Sequence, residues 1–459
     1  MKKCLLLVIL LVLTSKMSAA DYSAAYQQLP IQLKQPVAPS IKDTRVDIRD
    51  YGAKGDGQTL CTEAVQKAID DIAANGGGHI VFPAGIWLTA PLRLKSGIDL
   101  HIERNAVLQL TEERSLHVRP GNRRAENGIY ATDAHDISIT GQGIIDGNGE
   151  YWRAVKRGKN SDVEWKTYQS LGGTTSTDGS LWYPFNLKHQ ANIAATMEQQ
   201  EKMRSNMVRF NNCQRVMVQG VTLQNSPKFH LTPNDCQDVI IDGVTVRCPW
   251  NAQNGDAIDI GTSQRVLITS CVIDCGDDGI CMKGATGDEA LKHKPCEDIL
   301  IKNNTVYHAH GGFVIGSEFS AGMYRIVVCD NTFSGTDTGL RFKSATGRGG
   351  RTGDIYCYNI TMTDISGEAI VFETTYADKA VAGTTGAVAG SKWVPDFQGI
   401  NIYSITCNGA KTGIRAKGAK GMVHDINISN SVIFYTKEAM DIDANCDVRL
   451  KDVKFVTYK

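Results

Sequence analysis

Short runs of alternating apolar residues recur along this chain from about residue 130 onward. Each run follows a polar pair, ends at Asn, Gly or Asp, and is soon followed by a second apolar run, as in CQDVIIDGVTVRC at residues 236–248. Val and Ile in alternation, bounded by such polar residues, predict short β-strands. Helical periodicity is nearly absent from this part of the chain, so the pattern indicates an all-β architecture.

These strands repeat at a nearly constant spacing. The first strand residue of each repeat is Val216, Val239, Val266, Ile299, Ile326, Ile355, Ile400 or Ile426. The steps between them are 23, 27, 33, 27, 29, 45 and 26 residues, and the longest step contains an insertion around residues 377–393. Such a period predicts a solenoid, here a parallel β-helix, in which each coil packs on the next. The alternative, an antiparallel sandwich, would show hairpin turns about every 8–12 residues.

One segment near the N-terminus has helical spacing instead. Residues 62–75 carry Thr62 as a candidate N-cap and end at three glycines, and their apolar residues are Val65, Ala68, Ile69 and Ile72. Because solenoid ends need a cover, we expect this helix to cap the N-terminal end. Residues 150–200 break the repeat, which predicts a long excursion that forms one wall of a cleft. No linker divides the chain, so we expect a single domain over residues 21–459.

The N-terminus resembles a secretory signal. Lys2 and Lys3 precede an apolar run from Leu5 to Leu13, and small residues follow up to Ala20. We therefore expect a signal peptide over residues 1–20 and a periplasmic or secreted mature protein. The run is short for an uncleaved anchor, and no later segment has about 18 consecutive apolar residues, so we expect no membrane insertion after cleavage. We also expect a monomer.

Charge and cysteine usage exclude some function classes. Lys plus Arg and Asp plus Glu balance at 49 each, so the chain lacks the basic field that nucleic-acid binding needs. Twelve of the 13 cysteines follow the signal segment, without a CxxC pair or an interleaved histidine to suggest a metal site. We expect buried thiols in the core, and the alternative is one or two disulfides, which an oxidising compartment permits.

Candidate chemistry lies where acidic residues are spaced by about one repeat. Asp256 precedes Asp277 and Asp278 by 21 and 22 residues, so stacked coils would crowd three carboxylates together. Like charges at such distances raise the pKa of at least one group, as an acid/base site requires. Taken alone, the turn around Asp277 is more typical of a loop in which aspartates bond their own backbone.

Basic groups continue this spacing. His310 follows about one repeat later, and Arg341 and Lys343 follow after one more. Arg341 and Lys343 share one face of a strand because side chains alternate. Paired carboxylates suggest glycosidic hydrolysis, in which one protonates the leaving oxygen and another activates water. Neighbouring Arg and Lys fit an anionic sugar, although an Arg-x-Lys pair alone is usually a solvated strand face.

Together these motifs resemble the polygalacturonase family, glycoside hydrolase family 28, along nearly the whole mature chain from Val46. The family's motifs appear as Asn254-Gly255-Asp256, Gly276-Asp277-Asp278, Ala309-His310-Gly311 and Arg341-Phe342-Lys343. Two positions depart from the family pattern: Gly255 replaces Thr and Ala309 replaces Gly. Every charged position is kept.

The resemblance implies a right-handed parallel β-helix and an inverting mechanism without a metal or other cofactor. It implies that Asp277 is the general acid and that Asp256 and Asp278 position the water as base. His310 would tune the acid or hold substrate. The resemblance further implies that Arg341, Lys343 and Asn254 bind galacturonate.

The expected function is hydrolysis of polygalacturonate, with exo action by a bacterial-type member preferred. Insertions at residues 150–200 and around 377–398 could close one end of the groove into a pocket. Endo-polygalacturonase and rhamnogalacturonan hydrolase are the alternatives within the family, and the Arg-x-Lys pair favours polygalacturonate. Pectate lyase and a non-catalytic glycan-binding β-helix are the alternatives outside it.

Overall fold

The computed structural model describes residues 21–118, 125–184, 201, 203–376 and 390–457. The predicted signal peptide lies outside these residues, as do residues 185–200 of the first insertion and 377–389 of the second. None of the described helices is long and apolar enough to cross a membrane.

Thirty strands form one parallel sheet that winds through three ladders. The first ladder contains Arg45–Asp47, Gly78–Phe82, Ile98–Ile102, His135–Gly141, Gln214–Gln219, Gln237–Asp242, Gln264–Thr269, Cys296–Lys302 and Met323–Cys329. The second contains Asp56–Leu60, Gly85–Thr89, Ala106–Leu110, Ile144–Asp146, Thr222–Gln224, Thr245–Arg247, Val272–Asp274, Thr305–Val306 and Thr332–Ser334. The third contains Leu92–Arg93, Ile129–Thr132, Val208–Asn211, Leu231–Asn234, Ile258–Gly261, Asp278–Lys283, Gly311–Ser317 and Leu340–Ser344. Four long strands continue the ladders: Thr352–Glu373, Ile400–Lys417, Ile426–Ile442 and Val448–Thr457.

The predicted repeat is confirmed at the level of register. Val216 pairs with Val239, and the pairing continues through each of the Val and Ile positions of the sequence pattern to Ile426. All of these side chains are fully buried in one continuous core. The parallel β-helix is therefore correct, and the sandwich alternative is wrong. The division into a signal segment and a single domain stays a prediction.

The predicted capping helix, α1, runs from Thr62 to Ala74. Its apolar face joins the core of the first coils, as expected. The prediction that Thr62 is the N-cap is wrong, because Cys61 holds that position and the Thr62 hydroxyl accepts the backbone N–H of Ala90 at 2.7 Å. Gly77 follows the helix in the left-handed region, where an added Cβ would lie 2.4 Å from the carbonyl oxygen of Gly97.

An N-terminal arm, residues 22–40, covers the outer face of the first ladder. The sequence pattern did not predict it. Leu33 from this arm packs on the outward-facing Leu267, Leu300 and Val327. Backbone N–H groups of the arm donate to aspartates of alternate coils, as Lys34 does to Asp298 at 3.2 Å. The arm therefore removes from water an apolar column that the strands leave uncovered.

The expected excursion after residue 148 is also present. It contains a second helix, α2 (Asp162–Ser170), which begins with a capping box between Ser161 and Glu164. Beside α2, a small antiparallel sheet pairs Val155–Lys156 and Thr174–Thr175 with Leu181–Tyr183. The described 3₁₀ helices are Ser23–Tyr26, Ile48–Tyr51, Arg114–His117, Gly149–Tyr151, Arg157–Lys159 and Gly287–Lys292.

The cysteines of the described chain are all free. Eleven of the twelve are buried and Cys446 is half-buried. Burial raises the pKa of the Cys271 thiol to about 12, which favours the uncharged form. The expectation of buried thiols that fill the core is confirmed, and the structure contains none of the disulfides left open as the alternative.

Candidate active site

The predicted carboxylates meet where the second ladder turns into the third. Asp256 precedes the strand Ile258–Gly261, and Asp278 opens the next strand of that ladder, directly after Asp277. The backbone N–H of Ala257 donates to the carbonyl oxygen of Asp278 at 3.0 Å, so the two turns are direct neighbours. His310 lies on the following coil, and its N–H donates to the carbonyl oxygen of Asp277 at 2.8 Å. The spacing in the sequence therefore does correspond to adjacent coils.

Asp277 is held from three directions. Its carboxylate oxygens accept the backbone N–H groups of Asn254 and Asp278, both at 3.1 Å. Nδ1 of His310 lies 3.0 Å from Oδ1 of Asp277. Burial pushes the pKa of Asp277 up, but the hydrogen bond from His310 and the positive charges of His310, Lys343 and Lys159 outweigh it and lower the pKa. In the ligand-free site Asp277 is therefore ionised.

Asp278 pairs with both predicted basic residues. Nζ of Lys343 donates to Oδ2 of Asp278 at 2.7 Å, and Nη1 of Arg341 donates to Oδ1 at 3.3 Å. The Asp278 side chain is 1% exposed and that of Lys343 is 6% exposed. Burial raises the pKa of Asp278, but the charges of Lys343 and Arg341 outweigh burial and lower it. Both oxygens of Asp278 are thus already neutralised by cations.

The basic residues lie on the expected coil, the one after His310, but they do not stack directly on His310. His310 is followed on the next coil by Asp337, whose N–H donates to the carbonyl oxygen of Ala309. Arg341 pairs instead with Val314, and Lys343 pairs with Gly316. Both side chains therefore extend back across a whole coil to Asp278. Gly311 lies beside the Arg341 side chain, and an added Cβ there would lie 2.6 Å from the side chain of Val314.

Asp256 has a different electrostatic environment, shared with two residues that sequence reasoning missed. Its Oδ1 is buried without a hydrogen-bond partner, and its Oδ2 lies 3.6 Å from Nζ of Lys283. Burial, followed by the charges of Asp259 and Asp277, raises the pKa of Asp256 well above its ordinary value. Among the three predicted carboxyls, Asp256 is therefore the one whose surroundings favour the protonated form.

Asp259 and Lys283 lie on the same outward face of the third ladder. Asp259 is 5% exposed, and neither of its carboxylate oxygens has a hydrogen-bond partner. Burial raises the pKa of Asp259 to about 6, against the opposing charge of Lys283. Register could have revealed Asp259, since it pairs with Cys281, which pairs through Val314 with Arg341.

His230 holds the Asp256 turn from the preceding coil. Its backbone N–H and its ring Nδ1 both lie within hydrogen-bond distance of the carbonyl oxygen of Asp256, at 3.0 and 2.9 Å. Nε2 accepts the backbone N–H of Ser226 at 3.2 Å, so the ring is neutral with its proton on Nδ1. Burial lowers the pKa of His230 to about 4, which keeps this arrangement intact at neutral pH.

Arg204 fixes the neighbouring residues Gln253 and Asn254. Its guanidinium donates to the carbonyl oxygen of Gln253 at 3.1 Å and to Oδ1 of Asn254 at 2.9 Å. The backbone N–H of Asn254 is directed at Asp277, as described above. These contacts position Asn254, whose predicted role in substrate binding stays a prediction.

The excursion after residue 148 packs against the turns that carry the site. Nζ of Lys159 donates to the carbonyl oxygen of Gly276 at 2.8 Å, immediately before Asp277. The side-chain amide of Asn251 donates to Asn160 and Tyr168 at 3.1 and 3.2 Å. The excursion therefore forms a wall beside the carboxylates. Gly276 also lets its turn pack closely on the turn before Asp256, since an added Cβ would lie 2.4 Å from the carbonyl oxygen of Ala252.

Tyr376 supports the basic residues from the other side. Its ring centroid lies 5.4 Å from the guanidinium carbon of Arg341, 4.9 Å from Nζ of Lys343 and 5.6 Å from the guanidinium carbon of Arg348. Arg348 also donates to the carbonyl oxygen of Tyr376 at 2.7 Å. Sequence reasoning did not single out Tyr376, because nothing in its local sequence marks it.

The donor atoms of Asp277, Asp278 and His310 lie within 4.8 Å of one another, close enough to share a metal ion. Arg341 and Lys343 already face the two oxygens of Asp278. Cations beside carboxylates suit acid/base chemistry on an anionic substrate. Carboxyl groups with opposite pKa shifts in one site mark candidate proton donors and acceptors.

Comparisons with known proteins agree with this geometry. Residues 164–389 match the family "Glycosyl hydrolases family 28", and residues 45–118 match "Rhamnogalacturonase A/epimerase, pectate lyase-like". The exo-poly-alpha-D-galacturonosidase of Dickeya chrysanthemi is 31% identical over 353 residues, which are 72% of this chain. The chain spans 57% of the length of that relative. A probable polygalacturonase of Vitis vinifera is 25% identical over 86% of this chain and 76% of the relative.

Among solved structures, an exopolygalacturonase from Thermotoga maritima superimposes with a TM-score of 0.76 at 26% identity, covering 92% of this chain and 94% of the other. The polygalacturonase of Erwinia carotovora superimposes with a TM-score of 0.63 at 22% identity, over 93% of this chain and 99% of the other, and shows the fold alone. These neighbours are right-handed parallel β-helices, as the sequence resemblance implied. The chain belongs to glycosyl hydrolases family 28.

Proposed function

We propose that this protein hydrolyses α-1,4-galacturonosidic bonds of polygalacturonate, with inversion and from chain ends. The observation that carries the proposal is the contact of the carboxylate cluster, through Asp278, with the buried Lys343 and the half-buried Arg341. Paired carboxyls provide the acid and base of glycoside hydrolysis. The two cations provide binding for the uronate carboxylate, which Arg can contact in a bidentate manner.

In this mechanism Asp277 protonates the leaving oxygen, and Asp256 with Asp278 positions the attacking water. The surroundings favour the ionised form of Asp277 and the protonated form of Asp256. Hydrolysis therefore requires the proton to move within the carboxyl cluster from Asp256 to Asp277, which leaves Asp256 free to accept a proton from water. His310, in contact with Asp277, tunes the proton affinity of that acid.

Substrate binding supplies the change that makes Asp277 an acid. The positive charge of Lys343 lowers the pKa of Asp277 in the ligand-free site. When a substrate carboxylate pairs with Lys343, that charge is compensated and the pKa of Asp277 rises. Protonation of the leaving oxygen is thereby linked to the presence of a uronate, which would discriminate against neutral glycans.

The exo mode is supported by the wall that the excursion forms. Lys159 and Asn251 connect that wall to the turns before Asp277 and Asp256. A wall at one end of the groove would stop a longer polysaccharide chain from passing through. The names of the Dickeya and Thermotoga relatives also favour this mode.

We infer that the protein is exported to the periplasm or beyond the cell. The charged and apolar N-terminal segment, residues 1–20, supports this proposal. N-terminal sequencing of the protein recovered from its native host tests it, with a mature N-terminus near Asp21 expected and an intact Met1 contradicting it.

Product analysis on polygalacturonate tests the activity. Chromatography should show monogalacturonate from the first minutes, whereas a ladder of oligomers would mean endo action. An unsaturated product, or activity abolished by a chelator, would indicate a pectate lyase. Hydrolysis by Asp277→Asn at the wild-type rate would refute the assignment of Asp277 as the acid. Binding of polygalacturonate by the wild type without any product would instead indicate a non-catalytic glycan-binding surface.

A further inference from the structure

Lys159 brings a cation from outside the β-helix to the acid Asp277. It is the last residue of the 3₁₀ helix Arg157–Lys159 in the excursion, and it is half-buried. Its Nζ donates to the carbonyl oxygen of Gly276 at 2.8 Å, and Gly276 directly precedes Asp277. Residues 119–163 lie outside both segments that match a family model, so neither match includes this lysine.

Contacts of the next residue hold Lys159 in place. The side-chain amide of Asn160 donates to the carbonyl oxygen of Lys156 at 2.7 Å, and its Oδ1 accepts a hydrogen bond from Asn251 at 3.1 Å. Asn251 belongs to the turn that leads to Asp256. The ammonium group is therefore fixed before any substrate arrives, as electrostatic stabilisation of a reacting group requires.

The charge of Lys159 is not neutralised by an anion of its own. The described part of the chain places no carboxylate within ion-pair distance of Nζ, and its hydrogen-bond partner is an uncharged carbonyl oxygen. Burial lowers the pKa of Lys159, and the charges of Asp277 and Asp337 oppose that fall. Burial raises the pKa of Asp277, and the charge of Lys159 helps to lower it. The two groups therefore act on each other through space.

Other charged or titratable groups surround this pair. Those that act on Asp277 are Asp256, Asp259, Asp278, His310, Arg341 and Lys343, and those that act on Lys159, besides Asp277, are Lys156, Cys275 and Asp337. In the proposed mechanism a substrate carboxylate compensates the charge of Lys343. Lys159 is bonded to the backbone before Asp277, so its charge stays with the acid when substrate binds.

We propose that Lys159 is a positioning residue that stabilises the carboxylate of Asp277 as its proton passes to the leaving oxygen. In that step the O–H bond of Asp277 breaks, its electron pair stays on the carboxylate, and the proton bonds to the glycosidic oxygen as the C–O bond breaks. Water attacks the anomeric carbon and gives its proton to Asp256. The negative charge that develops on Asp277 meets a cation already in place, which lowers the barrier. The inference rests on the proposed function and adds to it a residue that the excursion supplies.

Dependence on the leaving group tests the inference. A nitrophenyl α-galacturonide needs little protonation of its leaving oxygen, whereas the sugar alcohol that leaves digalacturonate needs a full proton. Lys159→Met should lower kcat about 5- to 30-fold on digalacturonate and less than about 2-fold on the nitrophenyl substrate. KM should change little, because Nζ bonds to the backbone and not to the substrate. Lys159→Arg should restore most of kcat.

The pH profile gives a readout that a purely structural contact would not move. The alkaline limb of kcat/KM reports loss of the proton that the carboxyl cluster must hold. Without the charge of Lys159 that proton is bound more tightly, so in Lys159→Met the limb should move to higher pH by about 0.5–1 pH unit. Lys159→Arg should keep the wild-type limb.

Lys166→Met is the matched control, since it removes an equal charge from the exposed face of α2 in the same excursion and should behave as wild type. If Lys159→Met lost activity equally on both leaving groups, or with an unmoved alkaline limb, the inference would be wrong and Lys159 would be a structural contact.

Competitive acetylation of the ligand-free protein, followed by peptide mass spectrometry, keeps this result distinct from the fate of the proposed activity. Because the interaction is reciprocal, Asp277→Asn should lower the pKa of the Lys159 amine, so Lys159 should react at lower pH than in the wild type. The acetylation profile of Lys166 should not change. If the wild type fails to hydrolyse polygalacturonate but Lys159 responds in this way, the proposed hydrolysis fails and the coupling of Lys159 to Asp277 stands. An unchanged Lys159 profile overturns the inference, whatever the protein hydrolyses.

Discussion

Replacing Lys343 by Met tests the link between the buried cations and substrate charge. The substitution removes one charge and keeps most of the side-chain volume. In the ligand-free protein it breaks the 2.7 Å contact with Asp278. In the complex it removes a cation that we propose binds the uronate carboxylate.

Two magnitudes follow from the geometry. Breaking one partner of a buried ion pair costs about 3–5 kcal/mol. The lower end applies here, since Arg341 still lies 3.3 Å from Asp278. A hydrogen bond to a charged group contributes about 1.5–3 kcal/mol, so kcat/KM for a uronate substrate should fall about 10- to 150-fold.

The assay compares oligogalacturonate with the same oligomer after all its carboxyl groups have been reduced. Lys343→Met should lower kcat/KM strongly for the charged substrate and much less for the neutral one. Denaturant unfolding measures the loss of stability separately. Equal fold losses on both substrates would remove the proposed role of Lys343 in recognising uronate and leave it a structural partner of Asp278.

Three further predictions concern the acid, the buried histidines and the packing of the site. Asp277→Asn should lower kcat about 10²- to 10⁴-fold while substrate affinity is kept. Turnover assays measure kcat and calorimetry measures affinity, and an unchanged kcat would refute the role of Asp277 as acid. Burial lowers the pKa of His230 and of His117 to about 4 from 6.5, so their stabilisation is complete above pH 6.5 and is lost as pH falls from 6.5 to 4. Each buried neutral histidine should lower the free energy of unfolding by about 3 kcal/mol as pH falls across that range. Unfolding curves measured at several pH values test this, and a free energy that does not change with pH would refute it. Gly276→Ala places a Cβ 2.4 Å from a backbone carbonyl oxygen and should cost about 1–3 kcal/mol, unlike Gly158→Ala, which meets nothing within 4 Å.

The coil register was predictable because it depends on inward apolar residues. Val216 and its equivalents must face the core in every coil, and a slip of one residue would turn them outward. That constraint determines the first ladder and brings Asp256 beside Asp277 and Asp278. The family resemblance then supplied candidate roles, which the geometry accommodates.

The missed features depend on contacts that no local pattern carries. Counting by repeat placed Arg341 and Lys343 on the correct coil. It could not show that both side chains extend back across a whole coil to Asp278. Asp259 and Lys283 look like solvated strand residues until the stacked coils bring them beside Asp256. The N-terminal arm is likewise invisible in sequence, since partners such as Leu267 and Asp298 lie more than 200 residues away from it.

The most direct test of the whole account is the anomeric configuration of the first product from polygalacturonate, followed by NMR in real time. Hydrolysis by Asp277 as acid, with water placed by Asp256 and Asp278, predicts saturated galacturonate that appears first as the β-anomer. Initial α-anomer, an unsaturated product, or equal rates for wild type and Asp277→Asn would contradict the account.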